Sequence, residues 1–123
     1  MEFDALSRRV IGCAIDVHRQ LGPGLLEAVY QRCLAYELVQ AGMRVEVERP
    51  VGIRYKAIEL ECGFRIDMLV ERELIVELKA VEVLLPIHEA QLLTYLKLSG
   101  LKTGLLINFN NKILKNGIRR LVL

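Results

Sequence analysis

The sequence predicts a mixed α/β domain in which helices cover at least one face of a β-sheet. Three observations lead there. Apolar residues recur at three- and four-residue spacing through the first forty positions. From Val45 the period falls to two, the spacing of a strand. A third helical stretch opening at Pro86 then separates those strands from two more.

The first helix is predicted from Asp4 to Leu21. Leu6, Val10, Cys13, Ala14, Val17 and Leu21 form its apolar stripe, and Gly22-Pro23-Gly24 stops it. The second runs from Leu25 to Gln40, with Leu26, Val29, Tyr30, Cys33, Leu34 and Leu38 as its apolar positions and Gly42 as its stop. Val45, Val47 and Arg49 alternate with charged residues, a strand predicted to end at Pro50. Ile53–Tyr55 and Ile58–Leu60 flank Lys56-Ala57 as a short hairpin. Strands follow over Phe64–Val70 and Leu74–Val81. Pro86 suits the first turn of a helix that runs to Ser99, before Gly100. Thr103–Phe109 and Ile118–Leu123 complete the order α, α, β, β, β, β, α, β, β.

A length of 123 residues predicts one domain spanning 1–123. Hydrophobic residues make up 53% and charged residues 26%, which excludes a disordered chain. No apolar run approaches the ~18 residues of a membrane-spanning helix. The start, Met1-Glu2-Phe3-Asp4, lacks the basic and apolar regions of a signal peptide, so a cytoplasmic protein is expected. The net charge of +2 neither announces nor excludes a nucleic-acid partner. Cys13, Cys33 and Cys62 are odd in number and contain no CxxC, so buried free thiols are expected rather than disulfides or zinc.

The stretch that points to chemistry is Phe64-Arg65-Ile66-Asp67-Met68-Leu69-Val70 followed by Leu74-Ile75-Val76-Glu77-Leu78-Lys79-Ala80. Alternation places Phe64, Ile66, Met68 and Val70 on one face, and Leu74, Val76, Leu78 and Ala80 on one face of the next strand. A three-residue loop, Glu71-Arg72-Glu73, brings both sets to the core by pairing Val70 with Leu74, Met68 with Val76 and Ile66 with Leu78. Asp67 then stands opposite Glu77, and Lys79 lies two residues along on the same face. Two carboxylates so close repel, and a hard cation such as Mg²⁺ or Mn²⁺ would relieve them. A solvated strand face is the plainer alternative, weakened by the apolar neighbours.

Two helices offer further polar groups. Gly24, Glu27 and Tyr30 stand at three-residue spacing on one predicted helix face. Glu27 suits either the helix dipole or a third carboxylate for a metal. His88, Gln91 and Tyr95 make a polar stripe on the third helix, either its solvent side or part of a site. His88 could equally serve as a cap neighbour. Asn108, Asn110 and Asn111 read as turn residues, and Arg119 and Arg120 as surface arginines.

Gly24-Leu25-Leu26-Glu27-Ala28-Val29-Tyr30 matches a GxxExxY signature. Over nearly its whole length the chain resembles the bacterial GxxExxY protein family of the PD-(D/E)XK nuclease-like superfamily. Asp67 with Glu77-Leu78-Lys79 looks like the D…ExK motif, and Gln91-Leu92-Leu93-Thr94-Tyr95 like a QxxxY motif. Ile66 stands where the superfamily's name has proline. The resemblance implies a restriction-endonuclease-like core, a mixed sheet flanked by helices, and Mg²⁺- or Mn²⁺-dependent hydrolysis of DNA or RNA. It implies that Asp67 and Glu77 bind the metal with the Leu78 carbonyl, and that Glu27 ligates directly or through water. Lys79 would position the attacking water or stabilise phosphate charge. Gln91 and Tyr95 would hold the site or the nucleic-acid backbone, and His88 is a candidate substrate contact. A non-catalytic nucleic-acid- or protein-binding module on the same fold is the alternative. The small size also leaves room for a homodimer or a partner subunit.

Overall fold

The structure, a computed structural model, describes residues 3–123, so Met1 and Glu2 of the acidic start lie outside the described residues. Helix α1 spans Ala5–Leu21 and α2 spans Glu27–Gln40. The strands are β1 (Val45–Tyr55), β2 (Ile58–Val70), β3 (Leu74–Lys79), β4 (Thr103–Asn108) and β5 (Ile118–Val122). Helix α3 (Pro86–Ser99) connects β3 to β4. The five strands form one mixed sheet in the order β1-β2-β3-β4-β5, with β3 and β4 parallel and the other neighbours antiparallel. No helix among the described residues is long and apolar enough to cross a membrane.

Helices cover both faces. Val10, Ala14 and Val17 of α1 and Tyr30, Leu34 and Leu38 of α2 pack on Met68, Val76, Leu105 and Ile107. Leu92 and Leu96 of α3 pack on Leu69, Ile75 and Leu106 from the other side. That second layer lies close to β4. A Cβ added at Gly104 would sit 2.9 Å from Leu92 Cδ1, so glycine lets α3 approach the strand. Asp4 caps α1, its carboxylate accepting the Ser7 N–H at 3.0 Å.

Several predicted boundaries change. The first strand does not end at Pro50, and the predicted short hairpin is not separate. Both merge into the long β1–β2 ribbon, so the sheet has five strands. Pro50 is tolerated because β1 is an edge strand, needing hydrogen bonds on one side only. A shift in register between Val51 and Ile53 absorbs the extra residues before Phe64. Helix α2 begins at Glu27, so Gly24 and Leu25 precede it and Leu26 is an exposed cap position rather than a core one. Ile87 is likewise exposed on α3. The cysteines are free, but Cys62 is exposed and Cys13 and Cys33 only partly buried.

The predicted face of β2 also changes, and this shapes the site. Met68 and Val70 face α1 and α2, but Phe64 and Ile66 join the α3 layer. Val45 and Val51 of β1 divide in the same way. Residues two apart share a face in a regular strand, so the ribbon turns over between its two ends. The turnover lies at Glu48 and Asp67, which fall between the pairs Val47↔Met68 and Arg49↔Ile66. Glu48 has φ +50° there. In consequence Ile66 does not pair with Leu78. The β2–β3 ladder contains the three pairs Met68↔Val76, Leu69↔Ile75 and Val70↔Leu74, and beyond them β2 leaves β3.

Candidate active site

Asp67 and Glu77 meet where β2 and β3 part. The Asp67 N–H donates to Glu77 Oε1 at 3.1 Å, and the Leu78 N–H donates to Asp67 Oδ2 at 3.0 Å. Carboxylate oxygens thus take the place of the carbonyls that a continued ladder would supply. The predicted approach of the two carboxylates holds, although the strands that carry them have separated.

The electrostatics follow from burial. Glu77 is 6% exposed. Desolvation pushes its carboxyl up to about 8, and the charge on Asp67 adds to the rise. Burial also raises Asp67, against the Leu78 N–H, and the Glu48 carboxylate adds to it. The Lys79 ammonium opposes both rises. Lys79 is half-buried, at the end of β3 beside Asn108.

The backbone beyond Lys79 is fixed by Asn108, which does more than turn the chain. The Val81 N–H donates to Asn108 Oδ1 at 3.0 Å, and Asn108 Nδ2 donates to the Val81 carbonyl at 2.9 Å. The side chain thereby replaces a strand partner, and β3 stops at Lys79 rather than at Val81. Asn110 and Asn111 do sit in the turn that follows. Arg120 is held by Asp4 at 3.1 Å, while Arg119 is exposed.

A cleft of about 220 Å³ opens beside Asp67, lined by Glu27, Ala28, Gln31, Glu48, Asp67 and Leu78. Glu27 is the first residue of α2, which aims it at this cleft. Gln31 and Glu48 were not singled out by the sequence. Gln31 Nε2 donates to Glu48 Oε1 at 3.0 Å and to the Asp67 carbonyl at 3.2 Å. Gln31 stands four residues after Glu27, a same-face spacing that the sequence does show. Glu48 carries no such signal, because its left-handed backbone arises from the ribbon's turnover.

Gly24, Glu27 and Tyr30 do not share one helix face as predicted. Tyr30 is fully buried and stacks on Phe109 at 4.5 Å. Its hydroxyl donates to the Gly22 carbonyl at 2.6 Å and accepts the Leu25 N–H at 3.1 Å. Gly22 and Gly24 take φ +69° and +97°, open to glycine without strain. Tyr30 therefore shapes the turn that presents Glu27.

Helix α3 brings Tyr95 near the carboxylates. Burial raises its phenol, and the charges on Glu77 and Asp67 raise it further. Tyr95 stacks on Phe64 with ring centres 4.2 Å apart and 7° between planes. Gln91 is exposed and lines the same groove as Tyr95. His88 Nδ1 accepts the Leu85 N–H at 3.0 Å, so His88 serves as a cap at the start of α3.

A family model described as the PD-(D/E)XK nuclease superfamily matches residues 4–121. The chain belongs to this superfamily. The mixed five-stranded sheet with its three helices is consistent with the superfamily's restriction-endonuclease-like fold. No curated protein and no solved structure matches the chain.

Among the described residues, no three His, Cys, Asp or Glu side chains close into a ready-made metal cluster. The donors nevertheless suit a hard cation. Asp67 and Glu77 supply two mutually repelling carboxylates. The N–H and C=O of one strand residue point the same way, so the Leu78 carbonyl faces the side that β2 has left. Glu27 stands across the cleft from this group.

Proposed function

We propose that this chain is a metal-dependent nuclease of the GxxExxY family, acting as a single domain over residues 1–123. The observation that carries the reading is the Asp67–Glu77 pair with Lys79 beside it. A close pair of carboxyl groups, both raised by burial and Glu77 raised further by the charge on Asp67, is a poor device for stability and a good one for a divalent cation. Membership of a nuclease superfamily supports phosphodiester hydrolysis of DNA or RNA as the reaction.

Asp67, Glu77 and the Leu78 carbonyl would hold Mg²⁺ or Mn²⁺, with Glu27 reaching it directly or through water. The bound ion would polarise a phosphoryl oxygen and ease water deprotonation near neutral pH. Lys79 holds its ammonium beside the pair, where it meets charge developing on the phosphate. Tyr95 and Gln91 contribute the wall against which the substrate lies, and His88 Nε2 remains free to donate at the start of α3. Asn108 holds the backbone that carries Lys79. The setting for this reaction is the cytoplasm, and a homodimer or a partner subunit would enlarge the surface offered to nucleic acid.

The test is cleavage of labelled single- and double-stranded DNA and RNA by wild type and Lys79→Ala, with Mg²⁺, Mn²⁺ or chelator. Metal-dependent cleavage lost in the variant is the expected result. A folded wild-type protein inert on every substrate would transfer the reading to a non-catalytic binding module.

A further inference from the structure

The residues Gln91 and Tyr95 do not line the carboxylate cleft. They line a separate groove of about 430 Å³, between α3 and the distal part of the β1–β2 ribbon. Phe64 and Ile53 form its ribbon wall, and Gly63 keeps that wall close. Its character is aromatic and apolar, with the exposed Gln91 amide at its side.

The groove exists because the ribbon turns over at Glu48 and Asp67. Without the turnover Phe64 would face α1 and α2, as alternation predicts. With it, Phe64 lies flat against Tyr95. Both rings are half-buried, so the stacked pair is neither sealed in the core nor free in solvent. Tyr95 connects the two places: it lines the groove and feels the charges of Glu77 and Asp67. Phe64 is three residues from Asp67, about 10 Å along the strand. That interval is on the scale of one nucleotide, measured from phosphate to base.

An aromatic wall beside a phosphate-directed site suits a base with an open π-face. A hydrogen-bonding amide at its side suits the base's polar edge. A paired, stacked base in a duplex has no open π-face, and its Watson–Crick edge is already engaged. We propose that the groove lined by Phe64, Gln91 and Tyr95 holds an unpaired nucleobase, making single-stranded nucleic acid the substrate of this site. This rests on the nuclease reading and adds the substrate class to it.

The experiment is fluorescence anisotropy of labelled short oligo-dT, of an abasic oligomer of equal length and charge, and of the matching duplex. Ca²⁺ is present as the oxygen-binding cation. Wild type is expected to hold oligo-dT about fivefold or more tightly than the abasic strand, the lower end of what base stacking supplies. Phe64→Leu removes the ring and keeps an apolar side chain. It is expected to abolish that difference while leaving abasic binding unchanged. Gln91→Ala, at an exposed position, is expected to narrow the difference and serves if Phe64→Leu fails to fold. Equal affinity for oligo-dT and abasic strand overturns the proposal. So does tighter binding of the duplex, or self-association through the groove that Phe64→Leu abolishes. Cleavage in Mg²⁺ judges the nuclease reading separately. A wild type that cleaves without base preference loses this inference and keeps the activity. One that prefers bases but never cleaves keeps the groove and loses the activity.

Discussion

Asp67 and Glu77 are linked through the backbone as well as through charge: Glu77 accepts the Asp67 N–H, and Asp67 accepts the N–H of Glu77's neighbour, Leu78. Each carboxylate thus stands in for a missing strand partner. A change at either position acts on charge and on the strand junction together. Asp67→Asn separates the two effects, because its amide oxygen can still accept the Leu78 N–H. The expected result is a folded protein, with a melting temperature at or above that of wild type, whose metal-dependent cleavage falls to the level of the chelator control. Lys79→Ala is expected to lower turnover by about 100-fold or more, the scale of losing one charge-stabilising donor. Calorimetry with a gel-based cleavage assay checks both.

Proton release from the same pair sets a pH dependence. Glu77 titrates near 4.5 when unfolded and is pushed up to about 8 in the fold. Between those values the folded protein binds more protons than the unfolded one, so stability falls as pH rises. The contribution is complete below about pH 4.5 and lost above about pH 8. Raised Asp67 acts in the same direction. Urea melts of metal-free protein are expected to show a decline of a few kcal/mol across this window. Glu77→Gln is expected to flatten the profile. Saturating Mg²⁺ is expected to restore stability most at high pH, where its ligands are already deprotonated.

Tyr30 and Glu27 share one motif but are expected to fail differently. Tyr30→Phe removes a buried hydroxyl and leaves the Gly22 carbonyl and the Leu25 N–H without it. The expected cost is about 1–3 kcal/mol of stability, with turnover per folded molecule nearly unchanged. Glu27→Ala removes an exposed side chain at the cleft. It is expected to leave stability within about 0.5 kcal/mol while lowering cleavage. Denaturation and single-turnover kinetics on both variants test the contrast.

The β2–β3 turn holds Glu71 and Arg72 at φ +53° and +55°. Glu71 is engaged with Arg44, whose N–H its carboxylate accepts at 3.1 Å. Arg72 is exposed and is the freer of the two to change. Arg72→Gly removes the left-handed strain of a side chain at the cost of a more flexible unfolded chain. The net expectation is a gain of about 0.5–1 kcal/mol, measurable as a higher urea midpoint at an unchanged slope.

Much of the fold was legible in the sequence, and so was the centre of the site. Three helices, the sheet between them and the approach of Asp67 to Glu77 follow from apolar period and loop length. The three-residue loop permits one register, because a slip of one would turn Leu74, Val76 and Leu78 away from the core. Glu27 and Tyr95 were marked by spacing, and the sheet brings each to the region of the carboxylates. Spacing did not show that Tyr30 is a buried clamp, because Tyr30 and Glu27 look alike until the helix start at Glu27 is known.

The sequence by itself thus determined the three helices, their places among the strands and the approach of Asp67 to Glu77, since all three depend on local period and short loops. Only the tertiary structure decided where the β1–β2 ribbon turns over. That turnover requires β1, β3 and helices on both faces to be in place at once. It sends Phe64 to Tyr95, opens the strand junction that the Leu78 N–H and carbonyl face, and brings Gln31 and Glu48 to Asp67. Alternation along one strand cannot report it, because a strand's period fixes which residues share a face only while its backbone stays regular.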